Sequence, residues 1–313
     1  MASSATDSGN KDKPIREALV KTGHVDVMIS VGNNFFYTKS LPCSLWFFDK
    51  GKPEHLKNTV LFIDARNYYT AVDRTLNEWS PWQLKNLNAI VWLYRGQKDK
   101  YTGLLEKYHA SILEGVERII KQGKNLVTWL PAEYTEKLKA SVAGLERQKN
   151  SVSYTDIQTA IDILKEEADD AEDKTIKFAD RADREVRNKL AADFGYKTYR
   201  EYEKQIELET GWVANFAEEV KKIIAEALWL SEKFGDGAWN AIPGLCKAAT
   251  LEEIEAHGYS LTPGAYVGVA AQETDDVDFS ARMKEIHEEM KRLQAESNEL
   301  MDTISRNWEE MGL

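Results

Sequence analysis

The 313-residue chain has few of the residue types that build a self-sufficient catalytic or redox site. Its two cysteines, Cys43 and Cys246, are far apart and lack the spacings of zinc sites and disulfide frameworks, so we predict two buried thiols. The five histidines show no metal-ligand spacing, and the seven prolines are never adjacent. A single Gly-x-Gly, Gly235 to Gly237, follows a predicted helix, which argues against a dinucleotide-binding or Walker loop. We therefore assign no catalytic, cofactor-binding or metal-binding residue.

Long apolar runs are also lacking. No stretch approaches the ~18 to 20 apolar residues that a membrane span requires, and residues 1–10 are small and polar, unlike a secretory signal. The composition, with 42% hydrophobic and 10% aromatic residues, is that of a folding chain. We expect a soluble cytoplasmic protein with no membrane partner.

The charge is unevenly distributed. The net charge is -11, and the balance is +5 for residues 1–130, -9 for residues 131–272 and -7 for residues 273–313. Nucleic acid attracts lysine and arginine, so any nucleic-acid contact is expected in the first 130 residues, although a solvated surface of mixed charge gives the same surplus. The acidic C-terminal segment is better suited to a protein partner.

The first 66 residues predict alternating helix and strand. The pattern predicts a helix at Pro14–Thr22 and strands at Val25–Val31, Leu41–Phe48 and Thr59–Asp64. The runs LWFF (45–48) and VLFI (60–63) are typical of strands buried on both faces. Three strands and one helix cannot cover both faces of a sheet, so we interpret this part as the edge of a larger α/β sheet.

From Ser80 onward the apolar period changes to that of helices. Ser80 and Pro81 predict a helix start, a second helix is expected to end at Gly123, and residues 145–194 contain neither glycine nor proline. These 50 residues, with an apolar seam from Ile157 to Ala182, predict one long helix, on the order of 75 Å if continuous. A second seam runs from Val213 to Phe234, with residues 196–211 as the expected turn. The two seams predict an antiparallel helical hairpin with coiled-coil character.

A third apolar seam lies near the C-terminus, in the acidic segment. It consists of Phe279, Met283, Ile286, Met290, Leu293, Leu300 and Ile304. With the polar Ser297 between Leu293 and Leu300, they recur at steps of three and four residues, which predicts one face of a helix that needs a partner. Packing on the hairpin of the same chain and joining another subunit both fit this pattern.

Two clusters are candidate site residues. Asn33, Asn34, Phe35, Phe36 and Tyr37 form a polar and aromatic loop that leaves a strand, where an aromatic ring could stack on a base. The alternative is a plain loop whose rings fold back on the core. The second cluster pairs acidic and basic residues after the next strand: Asp64, Arg66, Asp73 and Arg74. Such pairs usually fix a turn by bidentate hydrogen bonds, and we predict a structural role.

Four runs, in order, carry a resemblance to a known family. They are VDVMISVGNNFFYTKSLPCSLWFFDKGK (25–52), VLFIDARNYYTAVDRT (60–75), IVWLYRG (90–96) and GLCKAATLEEIEAHGYSLTPGAYVG (244–268). The chain resembles the C-terminal part of the modification subunit of type I restriction-modification systems. Those subunits are S-adenosylmethionine-dependent DNA adenine N6-methyltransferases. Residues 97–243 match mainly by helical character.

The resemblance implies a fold and a limit on activity. The fold would be the end of a doubly wound methyltransferase sheet followed by a mainly helical region. The family's glycine-rich cofactor loop and its Asn-Pro-Pro-Phe type motif, which grips the flipped adenine, are both lacking here. S-adenosylmethionine is thus expected in the complete family protein and not on this chain alone, and methyl transfer by the chain alone is not expected. The loop from Asn33 to Tyr37 is similar to the region near the flipped base in related enzymes.

The resemblance also implies an organisation and partners. The expected segments are residues 1–78 as the C-terminal part of the methyltransferase sheet, 79–243 as a helical region with the hairpin, 244–278 as an irregular linker motif and 279–313 as an assembly helix. The implied partners are the upstream portion of the methyltransferase, the specificity subunit, which the third seam would contact, the restriction subunit, and DNA through the complex. Ala265 stands where the family commonly has arginine, so an ionic contact made by that arginine is not expected here.

Two rival functions fit the sequence less well. One is a non-enzymatic helical assembly module that docks on a partner coiled coil. Under this alternative, addition of the upstream portion would not restore cofactor binding. The other is an independent nucleic-acid-binding protein, which predicts steeply salt-dependent DNA affinity of this chain alone.

Overall fold

The computed structural model describes residues 3–6, 11–38 and 40–269, together with positions 283, 287, 290–292, 294 and 301. Met1–Val269 form one compact unit and Ala270–Leu313 form a second. In the second unit the described positions are helical and exposed.

A small mixed sheet organises the first part of the chain. Its strands are β1 (Val25–Val31), β2 (Cys43–Phe48), β3 (Thr59–Ala65) and, from much later in the sequence, a strand at Cys246–Thr250. The spatial order is β2, β1, β3 and then the late strand, with β1 parallel to β3 and both outer strands antiparallel to their neighbours. The predicted strands are confirmed, except that β2 begins at Cys43 rather than Leu41. The predicted helix at Pro14–Thr22 is α1 (Lys13–Lys21).

Both faces of the central strands are covered. All seven residues of β1 are buried. One face, which includes Ile29 and Ile63, packs against the helices that follow the sheet. The other face, which includes Met28 and Phe62, packs against residues of α1 and of the segment 249–267. Phe62 stacks on Tyr266 with ring centroids 3.9 Å apart.

The burial predicted for the run LWFF at 45–48 is wrong. Phe47 is 48% exposed and Phe48 is 50% exposed, while Leu45 and Trp46 are partly buried. The reason is that β2 lies at the end of the sheet order and pairs only with β1 among the described residues. Burial on both sides holds for the run at 60–63, because Leu61 and Ile63 pack in the core on one face of the sheet while Val60 and Phe62 pack in the core on the other.

The helix predicted to start at Ser80 is confirmed. After a short hairpin of β4 (Thr70–Ala71) and β5 (Asn77–Glu78), α2 spans Pro81–Tyr94. The Ser80 hydroxyl accepts from the backbone N–H of Gln83, and the Gln83 side chain accepts from the Ser80 N–H, which is a capping box.

Replacing Ser80 with alanine is expected to lower the free energy of unfolding by about 1 kcal/mol, because the substitution leaves the Gln83 N–H without its acceptor. Urea denaturation measures the change. Ser111→Ala, in the middle of a helix, is the control and should change stability by a few tenths of a kcal/mol. Equal effects of the two substitutions would contradict the capping role.

The second predicted helix does not end at Gly123. It is α3 (Lys98–Val127), and Gly123 lies inside it. A Cβ atom at Gly123 would lie 2.8 Å from Cγ2 of Val142, and one at Gly115 would lie 2.3 Å from Cγ2 of Val220. Both glycines therefore allow α3 to approach neighbouring helices closely, a role that the sequence does not distinguish from a helix stop.

The predicted long helix is interrupted. After α4 (Glu136–Gln148), α5 spans Tyr154–Arg181 and α6 spans Arg184–Asp193. Ala182 has extended backbone angles, φ -83° and ψ 155°, and the Asp183 side chain accepts from two N–H groups at the start of α6. The prediction of a continuous 75 Å helix is thus wrong, because the helix ends at Arg181 and Asp183 caps the start of a new helix. At about 1.5 Å per residue, α5 alone is about 42 Å long.

The hairpin partner of α5 is α7 (Tyr199–Phe234), which contains most of the predicted turn at 196–211. The prediction of that turn is wrong, because Thr198 forms a capping box that starts α7 at Tyr199. Asp162 pairs with Lys221 at 2.8 Å, and Lys165 pairs with Glu218 at 3.2 Å. In these two pairs the residue number rises along α5 while it falls along α7, so the two helices run antiparallel.

The segment after α7 rejoins the sheet. It contributes β6 (Cys246–Thr250), which pairs with β3, and α8 (Leu251–Ala256). The irregular linker predicted at 244–278 is thus wrong for residues 246–256, which form a strand and a helix. The Leu261 N–H donates to the Thr6 carbonyl at 2.9 Å, and buried Arg16 donates to the Tyr259 carbonyl at 3.1 Å. The residues at 259–262 therefore hold the first described residues against the sheet.

The two cysteines differ in environment. Cys246 is buried, and burial raises the pKa of its thiol to about 11. Cys43 is only partly buried, so the prediction of two buried thiols is wrong for Cys43, which lies on the edge strand. Both are free thiols. Among the described helices, none combines the length and apolar character that crossing a bilayer would need.

Candidate functional site

The two candidate clusters of the sequence lie at one edge of the sheet. β1 and β3 are parallel neighbours, so the loop after β1 and the residues after β3 emerge side by side. Gly32 begins the first loop and is buried against the second, since a Cβ atom there would lie 2.5 Å from the Arg66 carbonyl oxygen. The approach of the two chain segments at this point requires glycine.

The loop from Asn33 to Tyr37 divides into an anchored part and an exposed part. Asn34 has a φ of 62°, in the left-handed region that asparagine tolerates better than most residues. The Asn77 N–H donates to the Asn34 carbonyl at 2.7 Å, and the Asn77 side chain donates to the Asn33 carbonyl at 2.9 Å. The loop is thus fastened by its backbone to β5.

The aromatic residues of the loop take different directions. Phe35 packs on Trp79 at 5.0 Å between centroids and meets the edge of Tyr69 at 6.1 Å. Phe36 is 49% exposed and Tyr37 is 92% exposed. The expectation that the rings fold back on the core therefore holds for Phe35 and fails for Phe36 and Tyr37. The two exposed rings could stack on a planar ligand.

Only the first of the two Asp and Arg pairs forms the predicted bidentate contact, and Asp73 forms its turn with Thr75 and Leu76 instead of Arg74. Arg66 makes a bidentate contact with Asp64, from Nε to Oδ1 at 2.8 Å and from Nη2 to Oδ2 at 2.6 Å. This hydrogen bonding raises the pKa of Arg66. The Asp73 carboxylate accepts from the N–H groups of Thr75 and Leu76, and these contacts, led by Thr75, lower its pKa. Arg74 is exposed between them.

The motif at 261–266 reaches the same edge. A Cβ atom at Gly264 would lie 3.1 Å from Nη2 of Arg66 and 3.6 Å from Oδ2 of Asp64. Ala265 follows directly in a short 3-10 turn. Ala265 itself is exposed and contributes no charge at this edge.

A polar network that no sequence pattern indicates joins the segment after β3 to α2, α3 and α7. The Tyr68 hydroxyl donates to Oε2 of Glu226, and Nδ2 of Asn86 donates to the same oxygen at 3.1 Å. Tyr108 donates to Oδ1 of Asn86 at 2.9 Å. Burial, followed by the hydrogen bond with Glu226, raises the pKa of Tyr68 well above its usual range. Nothing in the sequence pairs residues 68 and 226, because their contact depends on how α7 packs.

The third seam is described at two positions. Met283 and Met290 are helical, with exposures of 49% and 62%. Phe279, Ile286, Leu293, Leu300 and Ile304 lie outside the described residues. The assignment of this seam to a partner subunit stays a prediction.

Other features of the described chain add no second site. No group of three or more His, Cys, Asp or Glu side chains that could hold a metal ion occurs in the part that the structure describes. A groove of about 820 Å³ between α4 and α5 contains none of the predicted site residues. The edge formed by residues 32–38 and 64–78 is thus the best candidate site.

Comparison with known proteins points to methylase subunits. Residues 1–140 match the family model described as N-6 DNA Methylase. The chain is 33% identical over 100 residues to the type I restriction enzyme MjaIX methylase subunit of Methanocaldococcus jannaschii, and 42% identical over 76 residues to the HindI methylase subunit of Haemophilus influenzae. These matches cover 32% and 22% of this chain, and the chain spans only 18% and 17% of the two relatives.

A solved structure is also similar to the chain. It is the type I restriction-modification system methyltransferase subunit from Streptococcus thermophilus, with 22% identity and a TM-score of 0.26. The alignment covers 29% of this chain and 18% of that chain. With residues 1–140 matched by the N-6 DNA Methylase model, the resemblance of this chain to the methylase subunits of type I restriction enzymes is confirmed.

Proposed function

We propose that this chain is the C-terminal part of a type I DNA adenine N6-methyltransferase subunit. It contributes the end of the doubly wound sheet and the helices for subunit assembly, and it is inactive alone. The family match over residues 1–140 and the methylase subunits among the relatives support the class of reaction. The edge strand β2 carries the proposal that the sheet is completed by another polypeptide.

The edge of β2 has the properties of an incomplete sheet. Its backbone pairs with β1 on one side, and Phe47 and Phe48 each leave about half of their surface in water. An unpaired strand edge presents N–H and C=O groups to any strand that can add to it. Fully burying a phenylalanine side chain contributes on the order of 1.5–3 kcal/mol, so a strand that covers both rings gains substantially from docking.

The residues present do not fit S-adenosylmethionine by themselves. The glycine pair Gly235 and Gly237 ends α7 instead of following a strand. A Cβ atom at Gly237 would lie 2.7 Å from a ring carbon of Tyr101, so this turn is filled by protein. Cofactor binding thus requires residues of the upstream portion, and no catalytic step is assigned to this chain.

The role of the edge loop follows from its exposed rings. A methyltransferase that acts on an adenine must flip the base and hold it between flat surfaces. Phe36 and Tyr37 are exposed beside the ends of β1 and β3, where open α/β sheets bind ligands. We place the loop from Asn33 to Tyr37 near the target base in the assembled enzyme, with DNA reached through the complex.

The helical region is the proposed assembly element. The seam from Phe279 to Ile304 would contact the specificity subunit, and the restriction subunit would join the full complex. The rival function, a helical assembly module without any enzymatic role, is favoured by the buried core that α3, α4, α5 and α7 form among themselves. Under this rival function, the sheet edge plays no part in cofactor binding.

Calorimetric titration with S-adenosylmethionine tests the proposal. We expect no binding heat from this chain alone and micromolar binding after addition of a polypeptide with the family's glycine-rich loop and Asn-Pro-Pro-Phe motif. The substitution Phe48→Asp should abolish the restored binding, because it places a charge on the docking edge. Val152→Asp, at a position that is 97% exposed, is the matched control and should restore binding as the parent does.

Two outcomes would count against the proposal. Micromolar cofactor binding or robust adenine methylation by this chain alone would refute its inactivity. Failure of the added polypeptide to restore binding, despite a well-folded circular dichroism spectrum of both partners, would favour the assembly module.

A further inference from the structure

A continuous set of contacts joins the helical region to the candidate loop. Glu226 lies on α7, and its carboxylate accepts from the hydroxyl of Tyr68. The Tyr68 ring also stacks on Trp229, one turn further along α7, at 4.2 Å and 15° between planes. This tyrosine, in the segment after β3, is therefore held by α7 through both a hydrogen bond and a ring contact.

The same tyrosine holds the loop through its backbone. The indole N–H of Trp79 donates to the Tyr68 carbonyl at 2.7 Å, and the Trp79 ring supports Phe35 at 5.0 Å. On the other side, the Asn77 N–H donates to the Asn34 carbonyl. The position of the loop thus depends on Trp79 and Asn77, and the position of Trp79 depends on Tyr68.

The carboxylate of Glu226 is well placed to fix Tyr68. It lies half-buried and accepts from two donors, the Tyr68 hydroxyl and Nδ2 of Asn86. Asn86 is fully buried, and its Nδ2 also donates to the Tyr68 hydroxyl at 2.9 Å and to the Glu226 carbonyl at 3.0 Å. Hydrogen bonds to an ionised acceptor are about twice as strong as neutral ones. Loss of the carboxylate leaves the Tyr68 hydroxyl without its acceptor, whereas Asn86 keeps its other two partners.

We infer that Glu226 is a positioning residue that lets the helical region set the conformation of the Asn33–Tyr37 loop. Glu226 acts through Tyr68 and Trp79 and does not itself touch the loop. The inference rests on the proposed function only in giving that loop a role near the target base. Its physical content is a coupling between α7 and the sheet edge that can be measured without cofactor, DNA or partner.

Hydrogen exchange of the full chain followed by NMR is the test. In Glu226→Ala, exchange at the Trp79 indole N–H and the Asn77 amide should rise about tenfold, because one charge-assisted contact to Tyr68 is lost. Tyr68→Phe should give a similar increase while keeping the stacked ring. Glu226→Gln, whose amide oxygen can still accept, should stay within about twofold of the parent.

The controls separate positioning from general loosening. Glu232→Ala removes an exposed carboxylate from the same helix and should leave both exchange rates unchanged. Amides within β1 should exchange as in the parent in every variant. An equal increase at β1 in Glu226→Ala and Tyr68→Phe would reduce Glu226 to a structural role, and unchanged Trp79 and Asn77 exchange would refute the coupling. Failed cofactor complementation affects neither result, so the two proposals fail independently.

Discussion

Replacing Asp26 with asparagine is expected to lower the free energy of unfolding by about 3–5 kcal/mol, because it removes the counter-charge of a buried lysine. Asp26 and Lys52 are both almost fully buried, with Nζ of Lys52 lying 3.7 Å from Oδ1 of Asp26. The ammonium group donates to the carbonyl oxygens of Val25 and Thr59 and so lies at the base of β1 and β3. Asparagine keeps the shape of the side chain and removes its charge.

The deficit of this variant should depend on pH. Burial lowers the pKa of Lys52, and the attraction of Asp26 opposes that shift. In Asp26→Asn the opposing attraction is gone, so the folded pKa of Lys52 falls further below its unfolded value. Between the folded and the unfolded pKa of Lys52, the folded state binds fewer protons than the unfolded state. The free energy of unfolding therefore rises as the pH rises between these two values. The loss measured at pH 7 should therefore shrink as the pH approaches 10.

Asp49→Asn is the matched control. Arg95 pairs with Asp26 through Nη2, and the same guanidinium lies 3.7 Å from Asp49. The Asp49 side chain is 37% exposed, so its loss should cost less than about 1 kcal/mol. Urea denaturation of the parent and both variants at pH 7 and pH 10 gives the four losses needed. Similar losses for the two variants at pH 7 would show that the buried lysine tolerates the absence of its counter-charge.

Replacing Gly32 with alanine is expected to lower the free energy of unfolding by about 1–3 kcal/mol. The added Cβ would lie 2.5 Å from the carbonyl oxygen of Arg66, a backbone atom that cannot rotate away. Either the loop after β1 or the turn after β3 must move, so the spectrum of Trp79 beside the loop should change as well.

The control for Gly32→Ala has the opposite expected sign. Gly103 lies inside α3, and a Cβ atom added there would meet open space, with no side chain or neighbouring element within 4 Å. Gly103→Ala should therefore raise stability by about 0.5–1 kcal/mol. Denaturant midpoints of the two variants make the comparison. A neutral Gly32→Ala with unchanged Trp79 fluorescence would show that the two chain segments separate easily.

Local signals in the sequence predicted much of the sheet and the first long helix. The β-branched runs of β1 and β3 and the Ser80-Pro81 start depend on neighbours in the chain, and the structure agrees with them. The Asp64 and Arg66 contact is equally local, since its partners are two positions apart in the sequence. The aromatic loop was also recognisable, although the sequence could not tell which of its rings would fold inward.

Features that depend on tertiary packing were not predictable in this way. The exposure of Phe47 and Phe48 follows from the position of β2 at the sheet edge and not from its composition. In the sequence Gly123 is typical of a helix end, and only the close approach of Val142 in the folded chain explains why α3 has a glycine there. The contact of Glu226 with Tyr68 joins residues on two distant elements, and an amphipathic helix with many glutamates gives no reason to select one of them.

The order of the strands also bears on how the chain folds. β3 pairs with β6, which follows it only after the whole helical region from α2 to α7 has been made. Contacts between residues so far apart raise the contact order and slow folding, because a long loop must close first. During synthesis the outer side of β3 stays open until residues 246–250 emerge. We expect chains truncated before Cys246 to aggregate, while the α3 to α7 helices, whose contacts are more local, form early.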